Sequence, residues 1–541
     1  MALADFLDKA ALAASHVLSG FDPAVFTAIL DEQVVGVFFD EAGIASTEGA
    51  VTLELAVNLL ARLYPSLALI PLGKNDAGES YLGDHLDALA SIARAINPKI
   101  QVVTDPSHVT VGIAVGSTAP PTSTSPVLFV GSHGWVTMVS PEHPVGSGIS
   151  GNPFGAAAAA CFAAANVFRI VFTGQLQRGE LDQAWHLSLL DLLPTFTADA
   201  AFHAKTNPTA ELLNPEWETV DIGEVHLAGV GAVGSSAVWT LSRAATAGGL
   251  SGTLHLIDPE TYDVTNLQRY VLPTRADVET SKALRAAAAF PVGGNFNAIA
   301  HVQRWDEYLA ERNTVGWDWK LDHVAVALDS GDDRCSLQAA LPRRIVNAWT
   351  QTGDLGISRH DFLGNQACLM CMYFPNGPRK GRHELIAEAV GLPELASEMA
   401  QLLYSGAPLG AEWISRLAQA TGVSVESLQP FQNEPLEGFY SKAVCGGMIL
   451  AAGGGARPVG RAEVPLAFQS ALAGVLLAAE VVAYVGGLRP EPMATTTKID
   501  MLRPLGRHLS LPEPKHPSGL CICQDPGYIS AYQQKYQSIQ I

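Results

Sequence analysis

Cysteine and basic residues are scarce in this sequence. Its 541 residues include seven cysteines, and 33 Lys and Arg residues stand against 53 Asp and Glu, which gives a formal net charge of −20. Because phosphate backbones are bound by clustered basic side chains, this charge argues against a nucleic-acid partner. Sparse cysteines in an odd number do not fit a dense secreted disulfide framework, so we expect a reducing, cytoplasmic environment.

Signals for export and for membrane insertion are also lacking. Residues 1–18 contain no basic region followed by an apolar core, so we expect no signal peptide. Two alanine-rich runs, 152–168 and 464–487, are apolar enough to raise the question of a membrane span. The first is shorter than the roughly 20 residues that a span needs, and the second contains Gln469, Ser470 and Glu480. Both are therefore predicted to be buried helices of a soluble protein without membrane contact.

Strand-like and helix-like runs alternate in the first part of the chain, which predicts βαβ units. No Gly-rich phosphate turn follows any of these strands. A polar stretch near 200–215 with two Asn-Pro breaks is the predicted junction, which divides the chain into domains 1–205 and 206–541. The strand-like runs of the first domain are 34–39, 67–72, 100–104, 109–116 and 126–131.

The second part of the chain has a clear doubly wound α/β pattern. Its predicted elements are a strand at 224–231, a helix at 232–247, a strand at 252–258, a helix at 280–290 and a strand at 323–329. In each half a proline precedes an alanine-rich helix that ends in Ala-Ala-x-Val. Coincidence of two buried helices and duplication of one domain both explain this feature. If the domain is duplicated, the first half is a copy that has lost its phosphate turn.

A glycine-rich turn opens the second half. Gly229, Gly231 and Gly234 form a Gly-x-Gly-x-x-Gly motif between a strand and a helix, and Asp258 ends the next strand. The glycines let the backbone approach a phosphate, and the acid can accept ribose hydroxyls. This motif alone serves a nicotinamide cofactor and ATP equally well.

Residues after Asp258 favour ATP. Asn266, Arg269 and Lys282 are predicted to lie near the same phosphate end, where a triphosphate that loses pyrophosphate needs additional cations. The alternative for Arg269 and Lys282 is simple surface solvation.

Four segments in order, "HLAGVGAVGSS", "LIDPETYDVTNLQR", "SKALRAA" and "VALDSGDDR", resemble the ThiF/MoeB adenylation domain of ubiquitin-activating enzymes. The resemblance covers most of 222–350 and resumes at 367–375 and 464–482. It implies a Rossmann-like ThiF fold preceded by a degenerate adenylation-like α/β half. It also implies that Arg269 and Lys282 act in catalysis and that Asp332, or Asp329 second, holds Mg²⁺. The implied ATP-binding residues are Gly229, Gly231, Gly234, Asp258, Asn266, Arg269 and Lys282.

The sequence departs from this family in two places. Tyr270 stands where the family usually has Gln. The family also uses an arginine from a neighbouring adenylation-type subunit, and no matching run occurs here. The sequence offers four arginines in the first half without choosing among them: Arg62, Arg94, Arg169 and Arg178.

Four cysteines occur as two short pairs, Cys368 with Cys371 and Cys521 with Cys523. Such pairs predict a tetrahedral structural zinc site that clamps the C-terminal tail, with a redox pair as the alternative. The family's second pair is usually Cys-x-x-Cys, so Cys521-x-Cys523 is a departure.

The other three cysteines are single. Cys161 is predicted to be a small buried residue. Acids beside Cys335 are expected to raise its pKa and blunt it as a nucleophile. Cys445 lies where ubiquitin-activating enzymes carry their thioester cysteine, within a helical insertion at 376–460, and Lys442 can favour its thiolate. Its alternative is a structural role.

The resemblance implies an enzyme that adenylates the C-terminal carboxylate of a ubiquitin-like protein with MgATP. Cys445 then takes the acyl group as a thioester and passes it to a ubiquitin-conjugating-like enzyme. Fusion to a degenerate half resembles bacterial antiphage conjugation systems of the BilD type, and a homodimer is compatible with this scheme. Two alternatives remain open, a sulfur-carrier protein adenylyltransferase of the MoeB/ThiF type and a non-catalytic scaffold that binds a ubiquitin-like protein.

Overall fold

A computed structural model describes most of the chain. The described residues are 4–73, 79–121, 125–196, 212–314, 319–374, 380–444, 448–452, 464–490 and 492–537. The predicted junction near 200–215 lies largely outside these ranges.

The first half contains eight strands and six helices among its described residues. The predicted strands at 34–39, 67–72, 100–104, 109–116 and 126–131 correspond to the first five strands and are confirmed. The strands are β1 Val35–Asp40, β2 Ser66–Leu72, β3 Gln101–Val103, β4 Val111–Val115, β5 Val127–His133, β6 Val136–Ser140, β7 Trp185–Ser188 and β8 Pro194–Phe196. The helices are α1 Leu7–Ser15, α2 Pro23–Asp31, α3 Glu41–Ala45, α4 Thr47–Leu60, α5 Glu79–Ile96 and α6 Phe154–Val171.

The second half repeats this content and adds an insertion and a tail. Its strands are β9 Val220–Ala228, β10 Leu250–Ile257, β11 Phe296–His301, β12 His323–Val326, β13 Arg344–Thr350, β14 Leu355–Asp361, β15 Thr496–Ile499 and β16 Ser510–Leu511. The helices before the insertion are α7 Ala232–Thr246, α8 Lys282–Ala287, α9 Trp305–Thr314, α10 Gly331–Ala339 and α11 Leu369–Tyr373.

The insertion is a helical unit with its own apolar core, in which Ile386, Leu417 and Phe439 are buried. Its helices are α12 Arg382–Ala389, α13 Ala396–Ser405, α14 Ala411–Thr421, α15 Val425–Leu428, α16 Leu436–Phe439 and α17 Met448–Ala451. The chain then returns to the second half through α18 Ala467–Val485 and ends in α19 Pro526–Tyr536.

The two sheets have the same strand order and the same strand directions. The first is ordered β3-β2-β1-β4-β5-β6-β7-β8 and the second β11-β10-β9-β12-β13-β14-β15-β16. In each, the first five strands pair in parallel and the last three add antiparallel partners. The α/β fold class is thereby confirmed. The strand order switches direction between β1 and β4 and between β9 and β12, and open α/β sheets bind ligands at such switch points, at the carboxyl ends of their strands.

The alanine-rich helices α6 and α18 pack against each other between the two sheets. Both are long and apolar enough to span a membrane, yet 89% of each apolar window is buried inside the protein. A Cβ at Gly474 of α18 would lie 2.3 Å from the carbonyl oxygen of Val233 on α7, so no larger residue fits there. Small side chains thus let the central helices approach closely, and the predicted burial of both runs is confirmed.

Candidate functional site

The glycine turn connects β9 to α7 at the carboxyl edge of the second sheet. Gly229 adopts a φ of +91°, which favours glycine, and a Cβ there would lie 2.7 Å from the carbonyl oxygen of Ala327. A Cβ at Gly234 would lie 2.1 Å from the carbonyl oxygen of Gly229. At Gly231, the N-cap residue just before α7, the nearest atom to a Cβ is the Tyr270 hydroxyl at 3.7 Å. Two glycines therefore tighten the turn, and the third leaves room for a ligand at the start of the helix.

Asp258 joins the end of β10 to this turn. Its Oδ2 accepts the backbone N–H of Val230 at 2.7 Å, and its Oδ1 accepts that of Glu260 at 2.9 Å. Burial raises the pKa of Asp258 above its ordinary value. Since each carboxylate oxygen can accept two hydrogen bonds, capacity remains for a ribose hydroxyl.

Arg269 and Lys282 both follow Asp258 in the sequence, and both side chains lie close to the Tyr270 ring. The Lys282 ammonium is 5.2 Å from the centre of the Tyr270 ring, and the Arg269 guanidinium carbon is 5.5 Å from it. Lys282 is buried and forms an ion pair with Glu260. Burial alone would lower the pKa of Lys282, but Tyr270, Glu260 and Asp258 raise it above its ordinary value. The structure thus shows Lys282 as a buried, charged group, and surface solvation does not describe it.

Asn266 stabilises the segment that carries Arg269. Its Oδ1 accepts the backbone N–H of Asp263 at 3.0 Å, and Asp263 in turn accepts that of Thr265 at 2.8 Å. These reciprocal bonds cap a short 3-10 turn at Val264–Gln268. The side chain predicted to contact phosphate therefore also fixes the local backbone.

Asp329 and Asp332 follow β12 at the same edge of the sheet. Both side chains are exposed. The preceding Ala327 packs directly on Gly229, which brings this loop beside the glycine turn. Asp333, by contrast, is bound to Ser330, the residue that caps α10, at 2.6 Å. Asp332, the preferred magnesium ligand, and Asp329, the second choice, are thus both accessible beyond the carboxyl end of β12.

Arg62 is the arginine of the first half that reaches this loop. It is 1% exposed and donates to the carbonyl oxygens of Leu267, Val271 (3.2 Å) and Pro273 (3.4 Å). Asn58, one turn earlier on α4, donates to the same Val271 carbonyl at 3.1 Å. Burial lowers the pKa of Arg62 to about 9. The backbone that carries Arg269 and Tyr270 is therefore anchored to the first half.

The other three candidate arginines of the first half have different surroundings. Arg169 forms a buried ion pair with Asp182 at 2.9 Å, and Arg178 pairs with Glu180 at 3.2 Å on the surface. Arg94 is exposed in the last turn of α5. The sequence does not choose among the four arginines, and only the three-dimensional contacts distinguish Arg62.

Asp40 occupies the equivalent edge of the first sheet. It is the last residue of β1, and its carboxylate accepts from the backbone N–H groups of Gly43 and Ser117, both at 2.8 Å. The Ser117 and Thr118 hydroxyls donate to it at 2.9 and 2.7 Å. Burial alone would raise the pKa of Asp40, but these hydrogen bonds lower it below its ordinary value. A carboxylate of the chain itself thus fills the position where the second half has its glycine turn.

Four cysteines meet between α11 and the C-terminal tail. Their Sγ atoms all lie within 4.8 Å of one another, and the closest distances are 3.5 Å for Cys368 to Cys521 and 3.5 Å for Cys371 to Cys523. Sulfurs around a tetrahedral zinc lie about 3.8 Å apart, whereas a disulfide needs about 2 Å. The donor set therefore fits zinc and excludes disulfide pairing in this arrangement.

The cysteine cluster fastens α19 to the second sheet. On α19, Lys535 donates to the carbonyl oxygen of Ala340 at 2.7 Å, and the Tyr532 ring stacks on Phe362 with a centroid distance of 4.9 Å. The Tyr536 hydroxyl donates to the carbonyl oxygen of Leu341 at 3.0 Å. These contacts come from the C-terminal half of α19, and the cysteine cluster lies just before its first turn, so the cluster and α19 together hold the tail.

Cys445 itself lies outside the described residues, but its flanks are described. Residues Tyr440–Val444 form a π-helical turn, a rare element that often marks functional sites. Helix α17, which follows, packs on α1, and α1 also contacts the Val264–Gln268 turn. Lys442, expected to favour a thiolate, is paired with Glu434 at 2.8 Å.

Cys161 and Cys335 are both buried. Cys161 is 0% exposed within α6, as predicted. The pKa of Cys335 is raised by burial, whereas the sequence interpretation assigned this effect to neighbouring acids.

Comparison with known proteins gives one family match in each half. Residues 214–523 match the ThiF family, and residues 38–173 match a family described as Prokaryotic E2 family C. The chain is similar along its length to a protein of Sinorhizobium fredii (strain NBRC 101917 / NGR234) described as uncharacterized protein y4jF. The two are 46% identical over 536 residues, which cover 99% of this chain and 98% of that protein.

Solved structures of E. coli MccB are similar at a lower level. MccB with ATP is 14% identical, with a TM-score of 0.32 over 55% of this chain and 65% of that chain. MccB with MccA-N7isoASN is also 14% identical, with a TM-score of 0.33 over 56% of this chain and 67% of that chain. The similarity spans about two thirds of the MccB chain.

Proposed function

Because the chain belongs to the ThiF family of ATP-using adenylyltransferases, we propose that it activates the C-terminal carboxylate of a ubiquitin-like protein with MgATP. The observation that carries the proposal is the open space at Gly231, just before α7, where the nearest neighbour is the Tyr270 hydroxyl. Asp258 accepts the N–H of the adjacent Val230, and Lys282 and Arg269 lie beside the Tyr270 ring. Helix N-termini and cations together stabilise phosphates, and Asp258 accepts the ribose hydroxyls.

In the proposed reaction, a carboxylate oxygen of the ubiquitin-like protein attacks the α-phosphorus of ATP. The bond between the α-phosphorus and its bridging oxygen to the β-phosphate breaks, and pyrophosphate leaves with the electron pair. Arg269 and Lys282 neutralise the charge that develops on the phosphates, and Asn266 orients them. Asp332, with Asp329 second, would hold Mg²⁺, which supplies further charge neutralisation.

Cys445 is the proposed acceptor of the activated acyl group. Its thiolate attacks the carbonyl carbon of the acyl adenylate, the thioester forms, and AMP leaves. Helix α17 lies three residues beyond Cys445 and packs on α1, which in turn touches the turn that carries Asn266. This chain of contacts supports an approach of Cys445 to the adenylate. Transfer to the cysteine of a conjugating-like enzyme would complete the cycle.

The first half is proposed to be a degenerate adenylation-like domain. Its strand order equals that of the second half, and Asp40 fills the place of a bound phosphate. E2 is the usual term for enzymes that accept activated ubiquitin-like proteins, so the family match of this half supports a role in such a conjugation system. Cys161, the one cysteine before residue 335, is 0% exposed, so this half does not itself carry the thioester.

A sulfur-carrier adenylyltransferase is the second candidate, because it needs the same ATP site and the same zinc cluster. The separate apolar core of the insertion that carries Cys445 favours the activating enzyme. A non-catalytic scaffold is opposed by the buried, charged Lys282 and by the open Gly231. A cytoplasmic role in antiphage conjugation remains part of the proposal, and so do the conjugating-like partner and a homodimer.

The test uses purified full-length protein, MgATP and candidate ubiquitin-like proteins on gels with and without reductant. We expect an adduct that reductant removes and that Cys445→Ala abolishes, whereas the matched control Cys335→Ala retains it. Adenylation that proceeds equally in Cys445→Ala, without any reductant-sensitive adduct in the wild type, would instead support the sulfur-carrier candidate.

A further inference from the structure

A second cleft lies at the opposite edge of the second sheet from the glycine turn. It has a volume of about 420 Å³ and lies where β13 begins, β14 ends and α18 ends. Because β13 runs parallel to β9 and β12, its first residue, Arg344, marks the amino edge of these strands. The cleft is thus separated from the predicted ATP site by the length of the sheet.

Three arginines line this cleft, namely Arg344, Arg359 and Arg489. Two of them are held by one buried carboxylate: Arg359 Nε lies 2.7 Å from Glu480 Oε2, and Arg489 Nη1 lies 2.7 Å from Glu480 Oε1. Burial alone would raise the pKa of Glu480, but the two arginines lower it to about 2. The carboxylate is therefore ionised, and it fixes both guanidinium groups in place.

The charges around the cleft do not cancel. Arg344 pairs with Asp361, which is half exposed, and Glu480 neutralises one of the other two arginines. One positive charge remains within a chain of net charge −20. Burial of an uncompensated charge is costly, and a bound anion removes that cost.

Among the described residues, two guanidinium nitrogens of arginines that line the cleft are buried hydrogen-bond donors without a partner. Arg359 Nη1 donates to the Ala494 carbonyl oxygen at 3.1 Å and to Thr497 Oγ1 at 3.0 Å. The Nη2 atoms of Arg359 and Arg489 are buried, and neither has a hydrogen-bond partner within the part of the chain that the structure describes. Arg359 is only 4% exposed, so solvent does not satisfy it. Guanidinium groups with open N–H positions suit carboxylates and phosphates.

The rest of the lining is mixed: Asp361, Asn365, Gln366 and Thr495 are polar, and one wall is apolar. Tyr484 stacks against Arg344, whose guanidinium carbon lies 4.3 Å from the ring centre, and Pro490 and Met493 complete this wall. A volume of about 420 Å³ lies within the usual range of small-molecule pockets and exceeds the needs of a single inorganic ion. Polar and apolar walls side by side suit a molecule with an anionic head and an apolar body.

We propose that this cleft binds a small organic anion, with its carboxylate or phosphate group against Arg344, Arg359 and Arg489 and its apolar body against Tyr484 and Met493. The cleft is distinct from the adenylation site, and it does not depend on the function proposed above. Its ligand does not compete with ATP, because the two sites lie at opposite edges of one sheet.

Calorimetric titration of the full-length protein tests this proposal with three probes: phenyl phosphate, benzoate and the uncharged benzyl alcohol. We expect saturable binding of one or both anions below about 10 mM and none of the alcohol. Binding of phenyl phosphate alone would identify a phosphate site, and binding of benzoate a carboxylate site. Arg344→Gln should weaken binding by about tenfold or more, because a charge-assisted hydrogen bond is lost.

Two control variants separate this cleft from other sites. Arg343→Gln removes a neighbouring arginine that pairs with Asp322 on the surface and does not line the cleft, so anion binding should stay unchanged. Lys282→Met, at the predicted ATP site, should also leave anion binding unchanged. Failure of both anions to bind, or equal binding by wild type and Arg344→Gln, would overturn the proposal.

Discussion

Individual residues explain why the two halves differ although their sheets are alike. The second half has Gly231 with open space beside it, whereas the first half has Asp40 with four hydrogen bonds to its carboxylate. A carboxylate that already accepts backbone N–H groups at this position excludes a phosphate by occupancy and by charge. One side chain thus accounts for the proposed loss of nucleotide binding in the first half.

Asp40→Asn should destabilise the protein by about 2 kcal/mol, because amide hydrogens would then face buried donors. The folded pKa of Asp40 is lowered, so its contribution is present above the unfolded pKa of about 3.9 and is lost as pH falls through the folded pKa. Thermal unfolding should therefore show a Tm difference from wild type at pH 7 that shrinks below about pH 4. Asp87→Asn, an exposed position on α5, is the matched control and should leave Tm unchanged. A difference that stays constant with pH would contradict this assignment.

At the scale of elements, α4 and the segment just after it connect the two halves at the nucleotide loop. Glu54 forms an ion pair with Arg243 on α7, and Asn58 and Arg62 hold the carbonyls of residues 267–273. Helix α7 and that loop both border Gly231. The first half is therefore expected to support the geometry of the ATP site without contributing a group to it.

Arg62→Met should raise the KM for ATP by about tenfold, since small displacements of positioned groups weaken catalysis strongly. Arg62→Lys should recover part of the loss, because an ammonium still donates to one or two of the carbonyls. A role confined to stability would lower Tm and the amount of active enzyme while leaving KM unchanged. Arg178→Met, which removes a surface arginine of the same half, should behave as wild type.

The cysteine cluster and α19 are the second feature at the scale of elements, and together they hold the C-terminal tail. The purified protein should contain about one zinc per chain, and a chelator that removes it should release the tail and expose α19 to proteolysis. Cys371→Ser and Cys523→Ser should each lose the metal. Cys335→Ser replaces a buried cysteine outside the cluster and should keep it. Zinc-free wild-type protein with a protease-resistant tail would contradict this prediction.

At the scale of the whole molecule, much of the architecture follows from the sequence. Continuous apolar runs such as β1 and β2 identify buried parallel strands, and small-residue runs identify α6 and α18 as interior helices. The glycine turn and paired cysteines are local motifs with fixed spacing. Their positions at one sheet edge and at one buried cluster follow from the topology.

Other features of the site depend on contacts between residues far apart in the chain. Arg62 reaches carbonyls more than 200 residues away, and no periodicity predicts that partner. In the sequence, Asp40 looks like an ordinary residue at the end of a strand. Its role depends on the hydrogen bonds that Ser117 and Thr118 donate to its carboxylate in the folded structure. The arginine cleft joins β13 and β14 to the end of α18, and the helical insertion separates this helix from the two strands in sequence. These three features therefore depend on long-range packing, which local sequence motifs do not specify.

ATP–pyrophosphate exchange tests the central claim most directly. With labelled pyrophosphate, MgATP and a cognate ubiquitin-like protein, the wild type should catalyse exchange that requires a free C-terminal carboxylate and disappears when this carboxylate is amidated. Lys282→Met should reduce the rate by about a hundredfold, because a cation at the developing charge is removed. Exchange that continues with the amidated protein, or a wild-type enzyme that binds no MgATP, would contradict the account.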